Sequence, residues 1–306
     1  MNRPIISIII LNYNTVRLTH DCLESIKRCK SEVSFEVIVS DNGSTDASCD
    51  MVRKEFPWVK LIENGENLGF AAGNNRARPY ARGKYILFLN TDTIVKKGTL
   101  SQTVRYMEEH PKVGALSCRL VLANGLLDRD SRRSFPTPWV SLTHFSYLDR
   151  LFPKSRLFAK YWYGGIAEDS VQEVDVIQGA YFLSPKKLLD KVEWFDKNYY
   201  LDGEDIDLCW KIKKAGYKII YFPLAEIIHL KGATKGKKQV GKKGENRKVI
   251  NLTFREKLKF RMSSVNSMEI FYRKRLWSNY PIVLNLAVVV GIKILKTARF
   301  VRLILS

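Results

Sequence analysis

Between Tyr200 and Lys211 the chain reads YLDGEDIDLCWK and crowds four carboxylates, Asp202, Glu204, Asp205 and Asp207, into six residues. Acids in the first turn of a helix complement its dipole by roughly 0.3–1 kcal/mol each. That accounts for one or two of them, because like charges so close repel and raise one another's pKa values. Such a cluster calls for a metal ion or an arginine to compensate it, or else one member is a tuned general base. Asp92, in LFLNTDTIV, ends an apolar strand pattern. A carboxylate there suits Mg²⁺ or Mn²⁺, which take oxygen ligands and keep substrate phosphate oxygens, or it makes an Asx-turn. Asp41 follows FEVIVS, where an acid contacts a ribose or base or fills a turn beside Asn42-Gly43. His229 is one of four histidines and reads as structural or as a ligand.

These residues need a scaffold, and the first part of the chain supplies one. Residues 5–11 (IISIIIL), 35–40 (FEVIVS), 58–63 (WVKLIE) and 84–90 (KYILFLN) read as strands. Helices are expected over about 15–28 and 46–55, the second capped by Ser44 or Thr45, and a Gly-rich turn over 67–81 leads into a third. Alternation of this kind implies parallel strands with right-handed crossovers. Ligands then bind beyond the carboxyl ends of the strands. The polar groups Asn12-Tyr13-Asn14, Asp41-Asn42-Gly43 and Asn90-Thr91-Asp92 all fall there. Further on, 131–141 is a Pro-containing loop and 142–172 is aromatic and ambiguous, while 174–196 reads as strand, Gly turn, strand and helix. A helix over 204–215 ends at Gly216, 217–223 is a strand, and 225–230 leads to His229. Arg132 and Arg133 are either solvated or set to meet a phosphate.

The 306 residues carry a net charge of +20, but residues 231–306 hold 19 Lys+Arg against three acids, a net of +16, which leaves +4 for the first 230. Residues 231–261 form a Lys/Gly-rich run, and 277–306 is apolar with Lys293, Lys296, Arg299 and Arg302. Lipid-surface anchoring, one membrane span and a helix docked on the domain all remain open, with interfacial anchoring favoured. The uncharged run 276–292 is short of the ~20 residues a span needs. Five scattered cysteines without a CxxC pair imply reduced thiols and no zinc site. No nucleic-acid-binding motif occurs, and no GxGxxG follows the first strand.

The motifs SIIILNYN, VSDNGSTD, NLGFAAGNN, LFLNTD, GAYFLSPKKLLDKVEWFD, GEDIDLCWKIKKAGYKIIYFP and HLKGAT occur in that order. In this the chain resembles the family 2 glycosyltransferases of GT-A fold, especially the bacterial rhamnosyltransferase-like branch, over about residues 4–235. The resemblance implies an α/β GT-A domain over 1–230, with a nucleotide-sugar half at 1–120 and an acceptor half at 121–230, followed by a basic helical extension over 231–306. It implies that Tyr13 stacks on the nucleotide base and that Asp41 binds base or ribose, with Asn12, Asn14, Asn74 and Asn90 near the nucleotide. Asp92 and His229 would hold Mg²⁺ or Mn²⁺. The first acid of the family's metal motif is Asn90 here. Asp205 would be the catalytic base, with Glu204 and Asp207 orienting it or the acceptor. The activity implied is inverting transfer from a nucleotide-sugar donor, dTDP-L-rhamnose or another UDP- or dTDP-sugar, to a lipid-linked saccharide acceptor in bacterial cell-surface polysaccharide synthesis. Such an enzyme would sit in the cytoplasm, peripheral on the inner membrane surface, without a nucleic-acid partner. A nucleotidyltransferase is the rival enzyme class, and it would show a Gly-rich basic loop where NYNTVR stands.

Overall fold

A computed structural model describes residues 3–231 and 254–304. Most of the Lys/Gly-rich run expected as a linker therefore lies outside the described residues. The nucleus is a parallel sheet of β1 (Ile6–Asn12), β2 (Phe35–Asp41), β3 (Lys60–Glu63) and β4 (Tyr85–Asn90). Helix α1 (Val16–Lys27) joins β1 to β2, α2 (Ser48–Glu55) follows β2, and α3 (Phe70–Asn75) precedes β4. The Ile-rich β1 lies between β2 and β4 with both faces covered, which is why it is apolar without alternation. Ile6, Ile8 and Ile10 join one core cluster and Ile9 the other, so the sheet separates two hydrophobic layers.

Register is what assembles the site. Asn12 pairs with Asp41, Leu11 with Asn90, and Asp41 with Glu63, so the polar strand ends form one edge. The chain then continues through β5 (Thr93–Val95), α4 (Thr99–Glu109), β6 (Val113–Leu122), α5 (Pro138–Phe145), α6 (Leu148–Leu151), β7 (Gln172–Glu173), β8 (Tyr181–Pro185), α7 (Lys186–Lys191), α8 (Glu204–Lys214) and β9 (Lys218–His229). The strand order is β3-β2-β1-β4-β8-β6-β9-β5, with β7 beside β9. Strand β8 runs antiparallel to β4 and β6, making the sheet mixed. The strand expected over 217–223 runs on through the segment leading to His229 as the single strand β9. Its register against β6 shifts between Phe222 and Glu226. Pro223 has no N–H to give a ladder and falls in that irregularity.

The caps differ from expectation. Ser44 Oγ donates to Asp41 instead of capping a helix. Asp46 does that work twice, accepting Ser48 N (3.0 Å) at α2 and Val16 N (3.0 Å) at α1, whose own first turn holds no acid. Gly69 has φ 83°, and a Cβ there would lie 2.4 Å from the Tyr200 carbonyl oxygen. Only glycine lets α3 begin so close to the 200–203 loop.

Helices α9 (Phe254–Phe271) and α10 (Ile282–Ile304) complete the described chain. Val265, Phe271, Tyr272, Leu276 and Ile292 form a third core cluster with Tyr199. Asn285 ties the intervening turn, donating to the Trp277 and Tyr280 carbonyls (3.0 Å each) and accepting from Tyr272 Oη (2.7 Å). Among the described residues, no helix is long and apolar enough to cross a membrane.

Candidate functional site

At the ends of β1 and β2 the polar residues hold one another. Asp41, 1% exposed, accepts from Asn12 Nδ2 (2.6 Å), Ser44 Oγ (2.6 Å) and Ser44 N (2.8 Å). Asn12 Oδ1 accepts from Thr15 and Thr19, so its amide is used at both ends. Asn14, at φ 53°, accepts Thr45 N (2.7 Å) and pins the second loop to the first. Asn74 is buried, and its amide donates to the Phe70 carbonyl (2.9 Å) within α3. Tyr13 and Asn90 are half-buried at the same edge. Asn12, Asn14 and Asn74 thus hold the loops together, while Tyr13 and Asn90 keep part of their surface exposed.

The second group lies where β4 passes into β5 and β9 ends. Thr93 pairs with His229, and Leu230 N donates to the Asp92 carbonyl (2.7 Å). This sets His229 Nε2 3.5 Å from Asp92 Oδ1, both side chains 3% exposed. His229 Nδ1 meets Asp128 Oδ2 at 2.9 Å, and Lys231 Nζ donates to Asp128 Oδ1 at 2.6 Å and to Asp130. Burial pushes the Asp128 carboxyl up, and the bonds from His229 and Lys231 outweigh it, holding its pKa at about 2. Burial pushes His229 down, and Asp128 and Asp92 outweigh it, raising it to about 9. A carboxylate on Nδ1 that leaves Nε2 facing a second carboxylate is the arrangement of a metal-binding histidine with its orienting acid. Among the described residues, no cluster of three or more His, Cys, Asp or Glu side chains is set to hold a metal. Asp92 and His229 offer two ligand side chains, so a cation held there would take the rest of its shell from phosphate oxygens and water, a mode that suits Mg²⁺ and Mn²⁺.

The carboxylate cluster is compensated by two arginines, one of the alternatives open from the sequence. Arg133 Nη2 donates to Asp205 Oδ2 at 2.6 Å. Burial works against the Arg133 charge, and Asp205 outweighs it, so the guanidinium is held well above its ordinary range. Asp205 sits at the N-terminus of α8, and its Oδ1 accepts Ile206 N (2.8 Å). Asp207 lies two residues on, about 200° around the helix. It is fully buried, and its oxygens accept from Arg275 Nε (2.7 Å), Arg275 Nη2 (3.1 Å) and Tyr199 Oη (3.2 Å). Asp207, expected to orient the base or the acceptor, is paired with Arg275 of the extension. Glu204 is buried in the first turn of α8.

One short segment links the groups. Asp128 orients His229, Asp130 holds Lys231, and Arg133 holds Asp205. Neighbouring Arg132, 3% exposed, turns away to the Ala167 (3.0 Å) and Ile166 (2.9 Å) carbonyls. Neither arginine is solvated. Sequence reasoning missed Asp128, Lys231 and Arg275. The dense charge of DRDSRR was the one local signal for the first.

The Asp128–His229 pair carries a pH signature in chelator-treated protein. A lowered Asp pKa gives stability that is present above about 4 and lost as pH falls toward 2. A raised His pKa gives stability that is full below 6.5 and lost as pH rises through about 9. Asp128→Asn should therefore destabilise the fold most between pH 4 and 6.5, by on the order of 3 kcal/mol for a broken buried pair. The gap narrows on both sides, less on the alkaline side because Lys231 still holds Asp128. Thermal scans from pH 3 to 9.5 check this, and a pH-independent gap would refute it.

Comparison with known proteins follows the same lines. The sequence model of the family described as "Glycosyl transferase family 2" matches residues 7–167. The chain is 26% identical over 219 residues to the N-acetylglucosaminyl-diphospho-decaprenol L-rhamnosyltransferase of Mycobacterium tuberculosis, covering 68% of this chain and 70% of that one. It is 26% identical over 260 residues to the rhamnosyltransferase WbbL of Escherichia coli, covering 80% and 85%. In fold it resembles the mannosyltransferase PcManGT of Pyrobaculum calidifontis, solved with GDP-Man and Mn²⁺, with TM-score 0.55, 20% identity, and coverage of 90% of this chain and 66% of that one. It also resembles residues 1–349 of TarS of S. aureus, solved with UDP, with TM-score 0.51, 19% identity, and coverage of 73% and 59%. These likenesses establish a GT-A fold.

Proposed function

The chain belongs to glycosyl transferase family 2, and we propose that it is an inverting, metal-dependent rhamnosyltransferase that uses dTDP-L-rhamnose and a lipid-linked saccharide acceptor. That it is a glycosyltransferase follows from the family. The metal-assisted, single-displacement mechanism in this reading is supported by one observation: the segment 128–133 joins the Asp92–His229 pair to the Asp205–Arg133 pair. Two centres of opposite chemical need are thereby held in fixed relation.

In this reading Tyr13 and the Asp41 loop receive the nucleoside, and Asp92 with His229 holds the cation. That cation would supply neutralisation of the charge growing on the leaving diphosphate. Asp205 takes the proton of the acceptor hydroxyl as that oxygen attacks the anomeric carbon. Each carboxylate oxygen has two lone-pair sites, so Asp205 can keep Arg133 and Ile206 N and still accept the hydroxyl. Arg133 holds Asp205 in place. The attack and departure occur on opposite faces of the sugar, which inverts it without a covalent intermediate. We read 1–230 as the transferase domain and 231–306 as an extension that brings it to a membrane surface.

The donor reading rests on the rhamnosyltransferase names of two relatives, and the lipid-linked acceptor on the decaprenol in one of them. Thermal unfolding against dTDP-, UDP- and GDP-linked sugars, with and without Mn²⁺ or Mg²⁺, tests it. A donor at 100 times its Kd stabilises by roughly 2.7 kcal/mol. We expect a metal-dependent shift with dTDP-L-rhamnose that Asp92→Ala abolishes. A shift with another nucleotide sugar alone overturns the donor. A shift only with nucleoside triphosphates, with pyrophosphate released on turnover, overturns the transferase mechanism.

A further inference from the structure

Outside the site, two surfaces of the described residues depart from what a water-facing domain needs: α10 of the extension, with Ile282, Val283, Leu286, Val290 and Ile294 exposed, and the stretch 138–160 in the acceptor half. The stretch 138–160 contains α5 and α6 and folds against the domain through Val140, Thr143, Asp149 and Ala159, all buried. Its other face is apolar and exposed: Leu142 is 58%, Leu151 70% and Leu157 57% exposed, with Trp139, Phe145 and Phe152 beside them. Three of them are drawn together around Phe158 and the Leu157 backbone. Trp139 Nε1 donates to the Leu157 carbonyl (3.2 Å), and Trp139 and Phe152 both pack against Phe158. Single exposed apolar residues are ordinary, but a contiguous patch marks a binding surface.

The charge around the patch selects the partner. Arg150, Lys154, Arg156 and Lys160 are all exposed, while the one acid of the stretch, Asp149, is buried and accepts His144 Nδ1 (2.7 Å) and Trp162 Nε1 (3.1 Å). Aromatic and leucine side chains ringed by long cations whose stems can lie along apolar surface are the composition of an interfacial membrane element. A second copy of the chain fits less well, because a symmetric contact would set four cations against four. A polar cavity of about 110 Å³ lies at the root of the patch, lined by Arg129, Arg132, Asp149 and Trp162 among others. Asp149 Oδ1 is buried there without a hydrogen-bond partner among the described residues. An apolar tip beside a polar recess is what an amphiphile requires.

We propose that the hairpin 138–160 is a membrane-docking element that seats Trp139, Leu142, Leu151 and Leu157 in the interface of an anionic bilayer, separately from the C-terminal extension. The extension alone would anchor the chain by its tail; the hairpin fixes the acceptor half against the lipid surface. The inference does not depend on which sugar is moved.

The test uses the full chain with vesicles of phosphatidylglycerol and phosphatidylcholine containing chain-brominated lipid. We expect tryptophan fluorescence to be quenched on binding, and Trp139→Phe, which keeps the surface apolar, to remove a large part of the quenched signal. The pair Leu151→Ser, Leu157→Ser should keep the unfolding midpoint and weaken vesicle binding by roughly tenfold. Pure phosphatidylcholine vesicles should bind more weakly still. Quenching unchanged in Trp139→Phe, or affinity within twofold in the serine pair, overturns the proposal in favour of docking by the extension alone. Absence of vesicle binding by the native chain overturns it too, and if the serine pair then abolishes self-association, the face belongs to a second copy. A negative sugar-transfer assay would leave these readouts untouched, so failure of the catalytic reading is separable.

Discussion

Asp205→Asn is expected to cut sugar transfer by about 10²–10⁴-fold, the usual worth of a positioned general base, while leaving the donor-induced thermal shift in place. The reasoning starts from what the substitution preserves. An Asn at 205 keeps the size of the side chain and an oxygen that can accept from Arg133 Nη2, now 2.6 Å from Asp205 Oδ2. It loses the negative charge and the ability to take a proton. Because Arg133 is buried beside it, the variant also leaves a cation without its counter-charge, and breaking a buried pair from one side costs about 3–5 kcal/mol. Activity and stability therefore fall together, and a fall in activity alone would not identify a base. The double variant Arg133→Met, Asp205→Asn separates them. Removing the cation as well takes away the stranded buried charge, so much of the lost stability should return while transfer does not. Initial rates by nucleoside diphosphate release, paired with thermal midpoints, give both readouts. The loss should fall on kcat, with KM for the donor little changed. Near-native turnover in the single variant would remove Asp205 from the role.

The parts legible from the sequence are those whose cause is local. The strands β1, β2 and β4 announce themselves as apolar runs closed by polar clusters, and their parallel register brings Asn12 to Asp41 and Leu11 to Asn90. Helix α8 shows its acids at the start and Gly216, at φ 87°, at its end. Residues 96–122 carry no assignment from the sequence, although they form α4 and the ten-residue β6. Strand β6 lies inside the sheet between β8 and β9, and its LSCRLVL pattern could equally be a buried helix turn. Compensation of the acidic cluster was readable as a need, but not its source. Arg133 lies 72 residues from Asp205 and Arg275 lies 68 from Asp207, and no spacing rule spans such separations. The same holds for Asp128, 101 residues from His229. Asp205 and Asp207 look equivalent in DID, and only the helical turn between them sends one to Arg133 and the other to Arg275 of the extension.

That turn makes the second large effect a test of how the extension is held. Arg275→Ala should destabilise the chain by about 3–5 kcal/mol, because it strands the Asp207 carboxylate, which is fully buried, with one remaining bond from Tyr199. Asp207→Ala should cost less, on the order of 1–3 kcal/mol. It leaves behind the Arg275 guanidinium, whose side chain is 25% exposed and can turn to water. The asymmetry matters because it opposes the simple expectation that the more buried partner is the costlier one to delete. At about 2–4 °C of midpoint per kcal/mol for chains of this order of size, the two variants should differ by several degrees, and a double variant should not be worse than Arg275→Ala. The effect also has a route to catalysis. Ser263 of α9 accepts Leu201 N at 3.1 Å and donates to the Leu201 carbonyl. A Cβ on Gly203 would lie 2.9 Å from Ser267 Cβ. The loop that delivers Asp205 is thus clamped by the extension, and loosening α9 should blunt kcat even though Arg275 touches no substrate. Equal midpoints for the two single variants would show that the pair is solvated and that the extension is held by Phe271, Tyr272, Leu276 and Ile292 instead.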